Sequence, residues 1–576
     1  MRRLLVACLG LLLLAGCTGV PSSSTPATVE PVSPQVRSTA LPPPFLNGDP
    51  RTVVQWFLQA NASNTGDHNT ARAYLTSAAS NGWTDGGATI IANDVSIGTY
   101  NQRRHSVTVF GRVLGTLDQH GIYTPSLLAQ GEGGDRQPFV FAIAKAGDAY
   151  RISNLHSGLL LTDQQFRSTY QQRVLYFYDA AKNSLVPDLR WSALADRTEL
   201  AEWLLTQIVD GPRPELQNAV SLDTLPAQAD ARQMLVRLGS PTNVEVPGSS
   251  QLDPSVRDRL AAQLAETLDE PLSGGEITIT DGGRPVMIRA VQGAPFSAAD
   301  FTQAIGPPLP ESKVYYLQGG RVHDDSGKAL AGPLSDGSLF LSSVAVSRPK
   351  ADGPLLVAGV VGTGAGAQLE VGTQHGLQRT GLRGVLSRPA FVPGRGEVWI
   401  GDGSQVYRVN VGDGPPRAHV VPIRAVSGGG QVLSVRLSPE GSRVAMVVSG
   451  AGGSAQLYIG SVVRGAGTVS IDGLVPISPQ GVVVRDVAWL DSFKLFAIGY
   501  LVGSQDSRVF ETGADGSEWA NQTIGNLSSP PDSVTAATAS NVWVSASDYV
   551  WQQSGSSWVS PGPTGQTPGS APVYLE

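Results

Sequence analysis

The sequence predicts a multidomain protein with an α+β N-terminal domain, an α/β middle domain and an all-β C-terminal propeller of five to six blades. Three observations carry this prediction. A chain of 576 residues is long enough for about three or four domains of ~150 residues. With 67 glycines, 40 prolines and only 15 % charged residues, the composition favours short strands and turns over long solvated helices. Strand pairs also recur at intervals of 45 to 52 residues in the C-terminal half.

The first residues predict a lipoprotein signal peptide over residues 1–16. Arg2 and Arg3 precede an apolar run, Leu4–Ala15, which as a helix would reach only about 18 Å. This is shorter than the ~30 Å hydrocarbon core of a bilayer, so the run is typical of a signal peptide and not of a permanent span. Leu14-Ala15-Gly16-Cys17 resembles the bacterial lipobox, whose cysteine receives a diacylglyceryl group before cleavage. The alternative is an ordinary secreted protein with an incidental cysteine.

Cys17 is the predicted lipidation site, and residues 17–44 are predicted to be a tether. Acyl chains such as palmitate on Cys17 would hold the mature protein at the extracytoplasmic face of the cell membrane, since each buried methylene contributes ~0.8 kcal/mol. The Ser, Thr and Pro residues that follow cannot bury enough apolar surface to order themselves. Cys8 and Cys17 are the two cysteines of the chain, which excludes disulfides, zinc–thiolate sites and cysteine nucleophiles after residue 17.

Residues 45–165 are predicted to form an α+β domain that resembles the NTF2-like fold. Asp49-Pro50 is a typical helix start, because Asp is a favoured N-cap and Pro suits the first helical position. A second short helix is predicted for Asn69–Ala79. The β-like runs that follow are Thr89–Gly98, His105–Leu117, Ile122–Gln130, Pro138–Lys145 and Tyr150–Leu155.

Residues 170–295 are predicted to form an α/β domain. Its elements are the strand Val174–Tyr178, the helix Thr198–Val209 closed by Gly211-Pro212, a helix beginning at Asp253-Pro254, and the paired strands Glu276–Thr280 and Pro285–Val291. Asp196 followed by Glu199 resembles a capping box. The element order resembles the GerMN module of spore-germination and other cell-envelope proteins, with an unrelated α/β domain as the alternative.

Residues 310–576 contain a weak internal repeat that predicts a β-propeller. Equivalent positions recur every 45 to 52 residues, and each is followed by a turn and a second strand. These positions are Val346, Phe391, Leu437, Trp489 and Ala536. A period of about 40–50 residues with up to four strands corresponds to one propeller blade. Five blades are therefore predicted and a sixth is allowed, with Lys313–Leu317 as a candidate closing strand.

The sequence carries no pattern of a known active site, so we predict a protein that is not an enzyme, with no catalytic, cofactor-binding or metal-ligating residues. It has neither a Gly-x-Ser-x-Gly elbow nor a His-Glu-x-x-His motif. Ser347 and Lys350 match Ser-x-x-Lys, but they lie at a strand end with a proline between them. The seven histidines show no metal-ligand spacing, and a net charge of −7 without a basic block argues against nucleic acid. Catalysis by scattered carboxylates, as in a cell-wall hydrolase, is the less favoured alternative.

The lipobox at Cys17, the Pro-rich tether, the α+β domain, the GerMN-like module and the propeller, in this order, resemble the actinobacterial LpqB lipoprotein family. Two short sequence motifs, Gly211-Pro212 at a helix end and the Ser438-Pro439 turn, support the same resemblance. The resemblance implies an accessory protein of an MtrAB-type two-component system. It would bind the extracytoplasmic region of the sensor histidine kinase MtrB, modulate phosphotransfer to MtrA and so affect cell-envelope homeostasis and division. Lipidation of Cys17 is the one family property that the resemblance transfers to a residue.

The alternative function is a binding module for an envelope ligand, such as a glycan, a peptidoglycan fragment or a lipid. The ligand would occupy the propeller channel or a pocket of the first domain, which His105 and His156 could line. Clustered exposed Trp and Tyr side chains would favour this function, whereas a flat apolar patch would favour a protein partner. The tryptophans are spread over all three regions, and Trp203 and Trp489 lie at core-type positions, which weakly disfavours a stacking platform.

Overall fold

A computed structural model gives the fold of residues 48–576, apart from 63–67, 85, 127–135, 306–312, 351, 413, 425–429, 451–453, 466, 480, 505, 523–526, 528, 539–540 and 562–565. The described residues belong to one compact unit. Cys17 and the signal peptide lie outside them, so lipidation at Cys17 stays a prediction. Within the described part of the chain, every helix is too short or too polar to cross a bilayer.

The N-terminal domain begins with three helices on one face of a sheet. These are α1 (Pro50–Asn61), α2 (Asn69–Arg72) and α3 (Ser77–Gly82). The Asp49 side chain accepts hydrogen bonds from two backbone N–H groups in the first turn of α1, which confirms the predicted N-cap. The single helix predicted for Asn69–Ala79 is wrong. The chain leaves the helix at Leu75, whose backbone forms a β-bridge with Ile152.

The sheet of this domain has the strand order β5-β4-β2-β1-β6, with β3 beside β2. Its strands are β1 (Thr89–Asn101), β2 (Ser106–Leu117), β3 (Tyr123–Pro125), β4 (Gln137–Ala146), β5 (Ala149–Asn154) and β6 (Leu160–Thr162). Four of the five predicted runs match β1, β2, β4 and β5. Of the predicted run Ile122–Gln130, Tyr123–Pro125 forms β3, and residues 127–130 lie outside the described residues. The strand β6 is an additional strand parallel to β1. Phe57 of α1 contacts Trp83 and Phe141 edge to face, with ring centroids 5.7 and 5.9 Å apart, so aromatic rings fill the space between helices and sheet.

The middle domain follows α4 (Asp163–Thr169) and contains two small sheets, β8-β7-β9 and β10-β11-β12-β13. Its helices are α5 (Arg197–Asp210) and α6 (Pro254–Leu272), and its strands are β7 (Gln171–Asp179), β8 (Leu185–Ser192), β9 (Val220–Ser221), β10 (Leu235–Arg237), β11 (Thr242–Glu245), β12 (Ile277–Asp281) and β13 (Arg284–Pro285). Both predicted helices are present. Asp196 caps α5 by accepting from the backbone N–H groups of Thr198 and Glu199.

The hairpin predicted in the middle domain is shorter than expected. The register Thr280–Pro285 confirms the turn, but the second strand ends at residue 285 instead of residue 291. The chain leaves the sheet because the backbone N–H groups of Arg289 and Ala290 donate to the Asp258 carboxylate on α6. The resemblance of this region to a GerMN module stays a prediction.

Residues 314–574 form six sheets, which we number as blades. Blade 1 is β16 (Leu341–Ser347), β17 (Leu356–Val361), β18 (Ala367–Thr373) and β19 (Gly376–Gly384); blade 2 is β20 (Ala390–Phe391), β21 (Glu397–Asp402), β22 (Gln405–Asn410) and β23 (Ala418–Val421). Blade 3 is β24 (Gln431–Leu437), β25 (Arg443–Ser449), β26 (Ala455–Arg464) and β27 (Val469–Pro476); blade 4 is β28 (Val482–Trp489), β29 (Lys494–Leu501), β30 (Arg508–Gly513) and β31 (Ala520–Gln522). Blade 5 is β32 (Ser533–Thr538), β33 (Asn541–Ala546), β34 (Tyr549–Ser554), β35 (Ser557–Val559) and β36 (Thr567–Pro568); blade 6 is β37 (Ser570–Tyr574), β14 (Val314–Gln318) and β15 (Arg321–Asp324).

The six blades close into a ring. The first strand of each blade contacts the first strand of the next, and β37 of blade 6 contacts β16 of blade 1. One apolar cluster lies between each pair of neighbouring blades. The predicted segment Lys313–Leu317 does supply a closing strand, since Val314 pairs with Tyr574 and Leu317 with Ser570.

The predicted repeat is confirmed strand by strand. Each of the five equivalent positions lies in the first strand of a blade. Four are buried members of an apolar cluster, and the fifth, Ala536, is partly buried against one. These positions are Val346 in β16, Phe391 in β20, Leu437 in β24, Trp489 in β28 and Ala536 in β32. The prediction of five to six blades is therefore confirmed, with six blades present.

Candidate functional site

The three domains meet along one buried contact, which we call the domain junction. The N-terminal domain contributes β3, the middle domain contributes β8 and the 3-10 turn Pro214–Leu216, and the propeller contributes blades 3 and 4. Every residue of β8 is buried. Leu189 of β8 belongs to the apolar cluster between blades 3 and 4, together with Ile459 and Val484. The propeller and the middle domain therefore share part of a hydrophobic core.

Several buried charged side chains lie close together at the junction. Asp188 accepts from Arg190 Nη2 at 2.8 Å and from the backbone N–H of Arg213, also at 2.8 Å. Arg213 Nε lies 2.9 Å from Glu215 Oε2, and its Nη2 donates to the carbonyl of Tyr123 at 3.4 Å. Asp188 is 0 % exposed and Arg190 is 1 % exposed. Each of these charged side chains thus has an oppositely charged partner inside the protein.

The burial of this cluster shifts two pKa values. Burial raises the pKa of the Asp188 carboxyl, and the guanidinium groups of Arg190 and Arg213 counteract that rise only in part. Burial lowers the pKa of Arg213, but Glu215 and Asp188 outweigh it, so the net shift is upward. Arg213 is therefore held as a cation between the N-terminal and middle domains.

Direct hydrogen bonds join the propeller to the middle domain. Trp191 Nε1 of β8 donates to Asp515 Oδ2 of blade 4 at 3.0 Å. Ser461 of blade 3 donates its hydroxyl to the carbonyl of Glu215. Asn218 Nδ2 donates to Asp472 Oδ2 at 2.8 Å. These bonds fix the position of the middle domain on the propeller, because hydrogen bonds are directional.

Two glycines allow the backbones to approach closely at the junction. At Gly473, with φ of 59°, a Cβ atom would lie 2.7 Å from the carbonyl oxygen of Glu215. At Gly516, with φ of 81°, a Cβ atom would lie 2.9 Å from Cγ of Pro125. In the sequence, Asp472-Gly473 and Asp515-Gly516 look like ordinary turn pairs, so no local signal distinguishes them. Sequence reasoning therefore missed the junction.

The junction also contains two cavities. One of about 210 Å³ is bounded by all three domains, with apolar side chains such as Leu189 and Ile477 and the charged groups of Arg213 and Asp515. The other, of about 150 Å³, lies between the N-terminal domain and blade 4, where Arg167 pairs with Glu518 at 3.6 Å. The charged groups of the larger cavity already bind other protein groups, so the arrangement suits domain docking better than catalysis.

A second ionic cluster lies where the first strands of the blades meet. Arg388 Nη1 lies 2.7 Å from Asp486 Oδ2, and Arg388 Nη2 donates to the carbonyl of Pro572 at 2.8 Å. Ser434 donates to Asp486 Oδ1 at 3.0 Å. Burial and the neighbouring Arg388 lower the pKa of Arg436 to about 10. These bonds cross-link blades 2, 3, 4 and 6 at the centre of the ring, where a channel ligand was expected as an alternative.

One end of the propeller exposes large apolar side chains. Strands within a blade alternate in direction, so the start of the first strand, the end of the second and the end of the fourth lie at the same end. Phe340 precedes β16, Val385 follows β19, Leu433 lies near the start of β24 and Val502 follows β29. They are 63, 65, 40 and 68 % exposed. We call these four residues the open face.

The histidines and tryptophans singled out in the sequence pack against, or hydrogen-bond with, neighbouring groups of the protein. His105 is exposed at the end of a hairpin, with Nδ1 3.0 Å from the Tyr100 hydroxyl. His156 packs against the ring of Phe139, and burial lowers the pKa of His156. Trp489 is buried, as predicted. Among the residues that the structure describes, no group of three or more His, Cys, Asp or Glu side chains could hold a metal ion.

The Ser-x-x-Lys match does not form a site. Ser347 is fully buried in blade 1, whereas Lys350 is exposed in the turn that follows. A lysine can activate a serine only when the two side chains are within hydrogen-bond reach of each other. Their different environments agree with the interpretation of the motif as a chance match.

Comparison with known proteins adds two family models and a set of relatives. The model described as "Lipoprotein LpqB, N-terminal domain" matches residues 43–167, and that described as "Lipoprotein LpqB beta-propeller domain" matches residues 320–574. The chain is 32 % identical over 471 residues to Lipoprotein LpqB of Mycolicibacterium smegmatis, covering 78 % of this chain and 79 % of the relative. It is 32 % identical over 463 residues to Lipoprotein LpqB of Mycobacterium tuberculosis, covering 76 % of each.

Among solved structures, TolB from Acinetobacter baumannii matches 48 % of this chain and 70 % of its own, with 15 % identity and a TM-score of 0.33. A score this low supports no conclusion. The curated relatives are matched over more than three quarters of their length at more than 30 % identity. The chain therefore belongs to the lipoprotein LpqB family.

Proposed function

We propose that the chain is a lipid-anchored protein of the extracytoplasmic face that binds a sensor histidine kinase of the MtrAB type and modulates its signalling. One observation carries the proposal: a member of a family whose relatives are named lipoproteins has a lipobox at Cys17. An anchor confines the protein to the same surface as a membrane kinase. Confinement raises the effective concentration of the two partners, so a weak contact is sufficient.

The domain junction supports a modulating role. Hydrogen bonds from Trp191 to Asp515 and from Arg213 to Tyr123 join the middle domain to the propeller and to the N-terminal domain. A partner bound at the propeller is therefore held at a fixed position relative to the N-terminal domain. To shift a kinase equilibrium, the protein must bind the active and inactive states with affinities that differ by about 1–3 kcal/mol. A rigid body can discriminate between two geometries of a partner better than a flexible one.

The open face is our candidate for the kinase contact. Its side chains Phe340, Val385 and Val502 are each more than 60 % exposed, although large apolar side chains usually prefer burial. None of the four open-face residues lines either junction cavity. The junction therefore leaves these side chains available to a protein partner.

The anchor is tested by intact-mass analysis of protein extracted from membranes. The expected result is a mature chain that begins at Cys17 and carries the mass of a diacylglyceryl group. A Cys17→Ser variant is the control and is expected to lose both the added mass and the membrane fraction. A bare thiol at Cys17 in protein recovered from the medium would contradict the proposal.

The kinase role is tested by autophosphorylation in proteoliposomes with and without the acylated protein. A change in rate is expected with the natural chain, and a Phe340→Asp/Val502→Asp variant is expected to lose it. Val140→Asp/Met287→Asp is a matched control, because Val140 and Met287 are 56 and 57 % exposed on the N-terminal and middle domains. Equal rates at saturating lipoprotein would contradict the modulation.

The alternative, an envelope-ligand module, has less support. The larger junction cavity is about 210 Å³, below the ~300–1,000 Å³ of typical small-molecule pockets. The centre of the ring is cross-linked by Arg388 and Asp486. We therefore favour a protein partner over a small ligand.

A further inference from the structure

A cluster of basic and aromatic side chains occupies one end of the N-terminal sheet. The β1–β2 turn carries Arg103 and Arg104, both exposed, and Lys145, also exposed, lies at the end of β4 next to the adjacent β4–β5 turn. The rings of Tyr100 and Tyr150 lie 6.1 Å apart between the two turns. We call these five residues the basic tip. Because the contact between the two tyrosine rings holds the turns side by side, the turns form one continuous surface.

The geometry of the basic tip is fixed by local bonds. Lys145 Nζ lies 5.6 Å from the centre of the Tyr150 ring, a cation–π contact. The backbone N–H groups of Arg103 and Arg104 both donate to the side chain of Asn101 at 3.1 Å. Residues 101–105 and 145–148 are exposed without interruption. The sheet therefore holds three cations at one exposed end.

The charge of the basic tip differs from that of the whole chain. The protein has a net charge of −7, whereas these two turns hold three cationic side chains and one carboxylate, Asp148. A cationic surface on an acidic protein attracts an anionic partner and is repelled by other copies of the same basic surface. The tyrosines add amphipathic rings, which are enriched where proteins meet the headgroup region of a membrane.

We propose that the basic tip docks onto the anionic headgroups of the membrane that anchors the chain. This inference rests on the lipid anchor at Cys17 proposed above. Arg and Lys side chains within a Debye length of an anionic lipid surface are attracted to it. The two tyrosines would lie at the level of the headgroups beside them. The basic tip is thus a second membrane contact, besides the acyl chains.

The length of chain before the domain favours a membrane as the partner. About 30 residues separate Cys17 from Gly48, the first described residue. A chain of this length can span at most about 110 Å. A flexible Gly- or Ser-rich chain of this length spans about 30 Å on average, and prolines extend it further. The tether therefore keeps the bilayer within reach of the folded domains, at a high effective concentration.

Docking of the basic tip would orient the whole protein. Acyl chains on Cys17 alone leave the body free to rotate, since the tether fixes only a distance. A second contact on the N-terminal domain removes that freedom. Because the domain junction joins this domain to the propeller, the open face would then point in one direction relative to the membrane.

The test uses the full acylated chain reconstituted into vesicles. Gln102→Cys, in the exposed β1–β2 turn, carries an environment-sensitive fluorophore, and the vesicles contain a quencher-labelled lipid. The mature chain would hold no other free thiol, since Cys17 is acylated and Cys8 is removed. Quenching is expected in mixed phosphatidylcholine–phosphatidylglycerol vesicles and not in phosphatidylcholine alone. A fluorophore at Ser556→Cys, in an exposed turn of blade 5, is the positional control and is expected to stay unquenched.

A variant that lacks the three positive charges of the basic tip tests whether docking is electrostatic. Arg103→Gln/Arg104→Gln/Lys145→Gln is expected to lower the docking equilibrium constant by roughly 100-fold, since each basic residue near an anionic surface contributes a factor of about five. A matched control loses the same three charges from exposed positions elsewhere and is expected to dock normally. It carries Arg237→Gln, Arg284→Gln and Lys328→Gln.

The outcomes separate the two proposals. Protein that floats with the vesicles while its tip fluorophore stays unquenched would overturn membrane docking and leave the lipid anchor intact. Equal quenching in neutral and anionic vesicles, or in the charge variant, would also overturn it. Protein that fails to float would contradict the anchor itself, and docking with it.

Discussion

The blades of the propeller and the domain junction are both buried, but different interactions hold them. In the clusters between neighbouring blades the buried side chains are aliphatic or aromatic, such as Val357, Ile400 and Leu457, each 0 % exposed. The ion pair between Arg388 and Asp486 lies apart from these clusters, at the centre of the ring. At the junction, Asp188 and Arg190 are buried to the same degree and depend on ion pairs. Hydrophobic contacts tolerate small shifts, whereas buried ions do not. The junction is therefore the place where one substitution can separate the domains while the blades persist.

The largest effect is expected for Asp188→Ala. The change leaves Arg190 and the backbone N–H of Arg213 without their shared acceptor in a buried site. Loss of one partner of a buried ion pair costs about 3–5 kcal/mol of unfolding free energy. Hydrogen–deuterium exchange should rise in β8 and in the 3-10 turn Pro214–Leu216, whereas exchange in blade 1 stays unchanged.

The control for this substitution is Arg232→Ala, because Arg232 is highly exposed beside Asp230. It is expected to leave the exchange pattern and the unfolding free energy unchanged. If Asp188→Ala accelerated exchange equally in all six blades, the junction and the blades would be one cooperative unit and the contrast drawn above would be wrong.

The next effect is expected for Gly473→Ala. Its φ of 59° is unfavourable for alanine, and the new methyl group would lie 2.7 Å from the backbone oxygen of Glu215. Gly555→Ala is the matched control, since Gly555 has the same φ of 59° and open space around it. Urea unfolding should show Gly473→Ala to be about 1–3 kcal/mol less stable than the control, the usual cost of overpacking. Equal free energies of unfolding for the two variants would mean that the close approach of Gly473 to Glu215 does not affect stability.

A smaller effect is expected inside the blades. Ile400→Val removes one methyl group from the apolar cluster between blades 1 and 2, which the cluster between blades 2 and 3 separates from the junction. Replacing a buried isoleucine by valine usually lowers the free energy of unfolding by about 0.5–1.5 kcal/mol. In contrast to the junction variants, it should alter exchange in blades 1 and 2 and leave β8 protected. A change in β8 exchange would show that the blades transmit disturbance to the junction.

The smallest effect concerns Glu266 on α6. Burial, with a contribution from Asp269, raises the pKa of Glu266 to about 7. The folded state therefore holds a proton that the unfolded state loses above its ordinary pKa of about 4.3, and stability falls as the pH rises between these two values. Glu266→Gln should be more stable than the natural chain at pH 8, by about 1 kcal/mol or less, and equal to it at pH 4. Denaturation curves at both pH values check this, and a gain at pH 4 would contradict it.

The elements that the sequence predicted well have local causes. The repeat positions Val346, Phe391 and Trp489 recur because every blade needs the same apolar position on its first strand. The side chain of Asp196 caps the start of the helix α5, and Gly211, with a positive φ, follows its end. These interactions act within a few residues, so a single sequence contains them.

The elements that were missed depend on distant neighbours. The predicted helix Asn69–Ala79 breaks because Leu75 pairs with Ile152, which lies 77 positions away in the chain. The predicted strand Pro285–Val291 ends early because Asp258 on α6 accepts two backbone hydrogen bonds from it. Neither partner has a recognisable pattern. The structure alone shows that these pairs meet.

The amino-acid sequence by itself determined the propeller repeat, the caps of the helices, the lipobox at Cys17 and the family resemblance. Each of these rests on side chains that are close together in the chain or recur at a fixed period. Tertiary structure decided how the three domains dock, that Asp188, Arg190 and Arg213 share one buried site, and that Tyr100, Lys145 and Tyr150 form one tip. The physical reason is that ion pairs, close backbone approaches and surface clusters depend on distances in space, which chain folding sets.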